Sequence, residues 1–230
     1  MKRRSIPPSN QTWCRISRRA TRRERRREFY ELQDARKSHL ETSGGYCHSS
    51  LEGCRNNRER DVYPVVHMFV LGIDPGLTRT GYGLVRRAHP PQAVAVGVIR
   101  THPDATTPER LAEIHADLSG IIADHRPDVV AIERVFTNRN LRTAIAVSRA
   151  SGMALLAAAQ AGIPVVEYTP TAVKLAVTGD GSADKRMVGE MVTRRLKLPS
   201  IPKPADAADA LAVALCHVQS MRLAPSGGRP

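Results

Sequence analysis

Residues 69–76 have the sequence Phe-Val-Leu-Gly-Ile-Asp-Pro-Gly, a short apolar run that ends in an aspartate and a turn. The run predicts a buried β-strand, and the Pro-Gly pair predicts the turn that follows it. Residues 128–133, Asp-Val-Val-Ala-Ile-Glu, form a second apolar run that ends in a carboxylate. Carboxylates at strand ends face the crevice at the edge of an α/β sheet, where sites form. These two stretches therefore indicate both the fold class and the place of a site.

The segments around these two strands complete an α/β pattern. Residues 81–87 and 93–101 predict two more strands, and residues 164–168 predict a short one. Apolar residues at helical spacing follow Pro108, and an alanine-rich helix is expected over about residues 140–161. Three further helices are expected near residues 170–177, 184–196 and 205–221. Three strands followed by alternating helices and strands predict a single α/β domain, a mixed sheet flanked by helices.

The composition sets limits on the class of protein. The chain has 230 residues, with 35 Lys and Arg against 22 Asp and Glu, so its formal charge is +13. No run approaches the roughly 18 apolar residues of a membrane-spanning helix, and no apolar segment typical of a signal peptide follows the basic start. Four irregularly spaced cysteines do not form a disulfide framework. We therefore expect a soluble, cytoplasmic, basic protein with no membrane partner.

Residues 1–67 differ in character from the rest of the chain. They hold 16 basic and 8 acidic residues, a net charge of +8, and show no sustained hydrophobic period. We predict a disordered basic extension, followed by a domain over residues 68–222 and a disordered tail over residues 223–230. Three alternatives remain for the extension. It could be an arm that binds phosphates, a zinc site using Cys47, His48 and Cys54, or an untranslated stretch that precedes a start at Met68.

Four carboxylates occupy unusual positions for solvated acids. Asp206 and Asp209 lie three residues apart among alanines, and therefore on one face of the last predicted helix. Asp74 and Glu133 end the two apolar strands. Oxygen-only ligands of this kind suit Mg²⁺ or Mn²⁺, and two such ions roughly 3.5–4 Å apart can drive phosphodiester hydrolysis. The four acids together predict such a site.

Each carboxylate also has a purely structural explanation. Asp74 precedes a Pro-Gly turn, and Asp206 stands in a first helical turn, where an acid complements the helix dipole. Asp209 could be a solvated helix residue, and Glu133 could pair with a nearby arginine at the surface. These explanations suffice for single residues, but they do not explain why all four end adjacent elements.

Five segments of the chain resemble the RuvC family of Holliday-junction resolvases. The resemblance runs from about Met68 to Met221, with the motifs in the family's order. The motifs are LGIDPG at 71–76, AIERVF at 131–136, YTPTAVK at 168–174, GSADK at 181–185 and ADAADALA at 205–212.

The resemblance implies a fold, an activity and a set of partners. The fold is ribonuclease-H-like, and the activity is the Mg²⁺-dependent nicking of two like strands of a four-way DNA junction during recombination and repair. The family acts as a homodimer and works with the RuvA–RuvB branch-migration machinery. The matching acids, which would act as catalytic residues and metal ligands, are Asp74, Glu133, Asp206 and Asp209.

The resemblance also gives roles to basic and aromatic residues. Lys174 and Lys185 would lie near the scissile phosphate, with Lys185 stabilising the charged transition state. Arg139 and Arg142 stand at the start of the long helix and would contact phosphates. Phe136 follows Glu133 in a polar loop, where an exposed ring could stack on an unpaired base, although a core position is the alternative.

Two further observations bear on assembly and on competing functions. From residue 150 to 161 the long helix is apolar nearly all round, so a second buried contact is expected, either within one monomer or in a C₂ dimer. A non-catalytic module that binds junction DNA is the main alternative function. An actin-like ATPase would need further glycine-rich phosphate loops, which the sequence lacks, and an RNA-directed nuclease of related fold is a further alternative.

Overall fold

The computed structural model describes residues 13–15, 27–32, 68–134 and 141–223, with side chains described for 68–134 and 141–221. These residues form seven strands and five helices. The strands are β1 (Trp13–Arg15), β2 (Arg27–Leu32), β3 (Phe69–Asp74), β4 (Arg79–Arg86), β5 (Gln92–Arg100), β6 (Val129–Glu133) and β7 (Val165–Tyr168). The helices are α1 (Thr107–His125), α2 (Leu141–Gln160), α3 (Pro170–Thr178), α4 (Lys185–Leu196) and α5 (Ala205–Leu223).

All the described strands belong to one mixed sheet in the order β1-β2-β5-β4-β3-β6-β7. β3, β4 and β5 form an antiparallel meander, whereas β6 and β7 run parallel to β3. The α/β class, the mixed sheet and the flanking helices confirm the sequence-based prediction. The helices and the strands from β3 onward begin and end within about two residues of their predicted positions.

The sheet separates two hydrophobic cores because the side chains of a strand alternate between its faces. In β3, Val70 packs into one core, while Leu71 and Ile73 pack into the other. The core with Val70 contains side chains of α3, α4 and α5, and the core with Leu71 contains side chains of α1 and α2. Within the described part of the chain, no helix is both long and apolar enough to cross a membrane.

β1 and β2 come from the segment that we predicted as a disordered extension, and at these residues the structure differs from that prediction. β2 pairs antiparallel with β5, and β1 pairs with β2. Pairing at a sheet edge uses backbone groups, so it needs no hydrophobic period in the sequence. The zinc candidates Cys47, His48 and Cys54 lie outside the described residues. α5 reaches Leu223, the first residue of the predicted tail.

Candidate active site

The two strand-terminal acids lie on the face of the sheet that α5 covers. In β6, Val129 and Ala131 pack into the core on the α5 side, so the period of two directs Glu133 to the same side. The same alternation places Asp74 on that side of β3. Ile73 pairs in parallel with Ile132, and the two acids that follow them therefore end neighbouring strands at one edge.

Two glycines let α5 approach the sheet closely enough to bring its aspartates to this edge. A Cβ added to Gly81 would lie 2.0 Å from the backbone oxygen of Asp206, and one added to Gly72 would lie 2.1 Å from that of Ala210. Any side chain here would therefore displace the helix. This role was not predicted from the sequence, although the alternation of Gly81 and Gly83 along one strand face is a signal of close packing.

The other three acids of the site act on Asp74. Burial raises the pKa of Asp74 to about 8, and the negative charges of Glu133, Asp209 and Asp206 act in the same direction. The positive charge of Lys185 opposes this shift. A carboxyl group with this pKa keeps its proton at neutral pH when no cation is bound.

Glu133 shares this environment. Burial is the largest cause that raises its pKa, followed by the negative charge of Asp209. A hydrogen bond with Asp74 and the positive charges of Lys185 and Lys174 lower the same pKa. Because the protonated Asp74 carboxyl donates to Glu133, the two strand-terminal acids form a hydrogen-bonded pair.

Two basic side chains compensate the aspartates of α5. The Lys185 Nζ atom lies 3.0 Å from Asp209 Oδ2, and this hydrogen bond raises the pKa of Lys185. The Arg79 Nη1 atom lies 3.7 Å from Asp206 Oδ2. A role for Arg79 was not predicted, because nothing in the sequence shows that the start of β4 meets the start of α5.

Helix caps set the start of the two helices that carry Lys174 and Lys185. Asp184 caps α4 by accepting a hydrogen bond from the backbone N of Met187 (2.7 Å), so Lys185 is the first residue of that helix. Thr169 caps α3 in the same way through the backbone N of Ala172, at 3.1 Å. Lys174 lies on α3, and its positive charge lowers the pKa of Glu133.

The other predicted DNA contacts divide into two groups. Arg142 lies in the first turn of α2 with an exposed side chain, where it lines a groove beside Asp206. Phe136 and Arg139 lie outside the described residues, so their roles stay predictions.

The chemistry of the donor set fits a divalent cation, because all four groups offer oxygen atoms of the kind that Mg²⁺ and Mn²⁺ prefer. Within the described residues, however, no three Asp, Glu, His or Cys side chains are arranged as a ready-made metal group. The ion pairs of Asp206 and Asp209 and the bond between Asp74 and Glu133 use the oxygens instead. Cation binding would replace these contacts, and the ligand roles stay predictions.

Comparison with known proteins agrees with this geometry. The family model "Crossover junction endodeoxyribonuclease RuvC" matches residues 70–217. A RuvC protein of Salinispora arenicola is 55% identical over 153 residues, which are 66% of this chain and 87% of that protein. The corresponding protein of Streptomyces coelicolor is 51% identical over 153 residues, which are 66% of this chain and 81% of that protein.

A solved structure extends the likeness from sequence to coordinates. Thermus thermophilus RuvC in complex with a Holliday junction substrate superposes with a TM-score of 0.65 and 40% sequence identity. The match covers 68% of this chain and 96% of that one. The predicted resemblance is therefore confirmed over the domain that carries the four acids. This chain belongs to the RuvC family of crossover junction endodeoxyribonucleases.

Proposed function

We propose that this protein is an endodeoxyribonuclease that resolves Holliday junctions by paired, symmetric nicks during recombination and DNA repair. The observation that carries the proposal is the convergence of Asp74, Glu133, Asp206 and Asp209 on one edge of the sheet, where the negative charges of the other three acids help to raise the pKa of Asp74. The family membership supports the choice of a four-way DNA junction as substrate.

The four acids would hold two Mg²⁺ ions, for which Mn²⁺ could substitute. Bound there, the metal ions would activate a water molecule and stabilise the leaving oxygen of the phosphodiester. The side chains of Asp206 and Asp209 stand on a rigid helix, and those of Asp74 and Glu133 at strand ends, so the ligand positions are set by the packing of α5 on the sheet. Groups held in fixed positions can stabilise charge that develops in a transition state with little reorganisation.

The basic residues of the site would act on the DNA. The Lys185 ammonium group is largely exposed and stands at the rim of the acidic cluster, where it would stabilise the extra negative charge of the transition state. Lys174 would hold the same strand from α3. Phe136, Arg139 and Arg142 would contact the junction itself, with Phe136 stacking on an unpaired base.

A homodimer would place two such sites on the two-fold symmetric junction. α2 supports this proposal because one of its faces carries the exposed apolar side chains Leu141, Ile145, Leu155 and Leu156. At the middle of that face Gly152 has no atom within 4 Å of the place where a Cβ would stand, which leaves room for a second helix. The protein would work in the cytoplasm together with the RuvA–RuvB complex.

A non-catalytic junction-binding module is the alternative function. Incubation of the protein with a mobile four-way junction and a matched linear duplex, with and without Mg²⁺, separates the two. The nuclease gives paired nicks in the junction only when Mg²⁺ is present. Binding without any product in Mg²⁺ or Mn²⁺ would support the non-catalytic module.

A further inference from the structure

A groove with a volume of about 600 Å³ lies beside Asp206, on the side of the site that faces α1 and α2. Its walls come from the turn between β3 and β4 and from the first turns of α1, α2 and α5. The lining includes the turn residues Gly76, Leu77 and Thr78 and the arginines Arg79, Arg110 and Arg142. Three guanidinium groups against the single carboxylate of Asp206 make the groove positively charged.

One of these arginines is held in a fixed position. Arg110 Nε donates to Thr101 Oγ1 and Arg110 Nη2 donates to Thr78 Oγ1, both at 2.8 Å. Thr101 is itself buried, and its hydroxyl donates to the backbone oxygen of Leu77 at 2.7 Å. These hydrogen bonds hold the guanidinium group of Arg110 against the turn that forms the groove wall. Binding of an anion there would therefore cost little side-chain entropy.

The arginines of the groove have different surroundings. Arg79 makes the ion pair with Asp206 and so balances the charge of that carboxylate. Arg110 is engaged with threonine hydroxyls, and Arg142 projects from the exposed first turn of α2. The ion pair with Asp206 thus explains the presence of Arg79. The guanidinium groups of Arg110 and Arg142 suit a ligand with several negative charges.

We propose that the groove binds the sugar–phosphate backbone of the DNA strand that continues past the scissile phosphate, with Arg110 and Arg142 contacting phosphates. The groove begins at Asp206, so a strand that lies across the acidic site enters it directly. Its lining has no aromatic side chain among the described residues, which suits backbone contacts and not base stacking. This inference rests on the proposed nuclease function, because it takes the acidic site as the place of the scissile phosphate.

The test measures how junction binding depends on salt. Each variant is made in an Asp74→Asn background with Mg²⁺ present, and its dissociation constant for a fluorescent four-way junction is measured at several salt concentrations. Each lost phosphate contact should lower the slope of log K against log salt by roughly 0.7–0.9. Arg142→Gln and Arg110→Gln should each show this loss of slope, together with weaker binding.

Arg86→Gln is the matched control, because Arg86 lies at the opposite end of β4 from Arg79 and hydrogen-bonds with Gln92. It removes the same charge and should leave the slope unchanged. An equal loss of slope in all three variants, or no loss in Arg142→Gln or in a folded Arg110→Gln, overturns the proposal. Arg142 is exposed, so an unchanged slope in Arg142→Gln overturns the proposal even if Arg110→Gln fails to fold.

A different result would contradict the proposed nuclease function. If the wild-type protein does not nick the junction in Mg²⁺, the assignment as a nuclease is wrong. A lower slope of log K against log salt in Arg142→Gln and Arg110→Gln would still establish the groove as a site for a DNA backbone.

Discussion

The Asp74 carboxyl, whose pKa in the folded chain is about 8 in place of 3.8, makes stability depend on pH. In the unfolded chain it ionises near its ordinary value, so between these two values the folded state binds more protons. The contribution of Asp74 to the free energy of unfolding must therefore fall as the pH rises through this window, and the loss is complete above the folded pKa. We predict that the metal-free protein melts at a lower temperature near pH 8 than near pH 5.

Replacement of Asp74 isolates this contribution. The side chain of Asp74→Asn stays neutral, so the melting temperature should depend less on pH and should exceed that of the wild type at pH 8, by about 5 °C or more. Thermal melts in the presence of a chelator, recorded from pH 5 to pH 8, measure the pH dependence and the difference at pH 8. Asp104→Asn, in an exposed loop, is the control. Parallel curves for Asp74→Asn and the wild type would contradict the account.

Lys185 is expected to matter for turnover and little for folding. Its side chain is 78% exposed, so the ion pair with Asp209 should contribute no more than about 1 kcal/mol to stability. Loss of a group that stabilises the transition state typically costs about 10²–10³ in rate. Lys185→Ala should therefore slow single-turnover cleavage by about that factor, whereas junction affinity changes less than about tenfold. A variant that cleaves at the wild-type rate would remove Lys185 from the mechanism.

At the scale of residues, the sequence showed which acids to consider but not their partners. Asp74 and Glu133 could be identified because an acid that ends an apolar strand is an unusual pattern, and Asp209 because it stands among alanines. Arg79 and Arg110 could not be identified in this way. An arginine beside a turn is ordinary in sequence, and only the three-dimensional contacts with Asp206 and with two threonines distinguish these two.

The contact between α5 and the sheet sets the geometry of the site at the scale of elements. Because a Cβ at Gly81 would meet the backbone of Asp206, Gly81→Ala should push the start of α5 outward and misplace that carboxylate. We expect cleavage to fall by about 10²-fold or more and stability to fall by about 1–3 kcal/mol. Cleavage assays and denaturant unfolding measure the two effects.

Gly83→Ala is the graded comparison for this prediction. A Cβ at Gly83 would meet the side chain of Leu211 at 2.7 Å, and a flexible side chain can move more easily than a helix backbone. Its effect on cleavage should therefore be the smaller of the two. A Gly81→Ala protein that matched the wild type in activity and stability would show that α5 does not depend on this close approach.

The elements from β3 to α5 were predictable because hydrophobic periods and caps are local signals. Thr106 and Glu109 form a capping box at the start of α1, and Gly179 ends α3 in the left-handed conformation. β1 and β2 gave no such signal, since the pairing of β2 with β5 and of β1 with β2 depends on backbone hydrogen bonds. The order of the strands also depends on long-range pairing, which no short segment reveals.

The whole molecule is expected to be a dimer through α2. Leu141 is 69% exposed and Leu156 is 43% exposed on the same face of α2. Exposure of this apolar surface to water is unfavourable, and a second subunit would cover it. Leu156→Glu should therefore give a monomer in analytical ultracentrifugation and abolish the pairing of the two nicks. Leu175→Glu changes an equally apolar and exposed position on α3 and should leave the dimer intact. Identical masses for both variants would contradict this interface.

The claim that the four acids form a nuclease site is tested most directly with Asp206→Asn. This substitution keeps the shape of the side chain and removes its charge from the first turn of α5. We predict that the variant binds a four-way junction about as tightly as the wild type and produces no nicks in Mg²⁺. Nicking at a rate near that of the wild type would show that the reaction does not occur at these carboxylates.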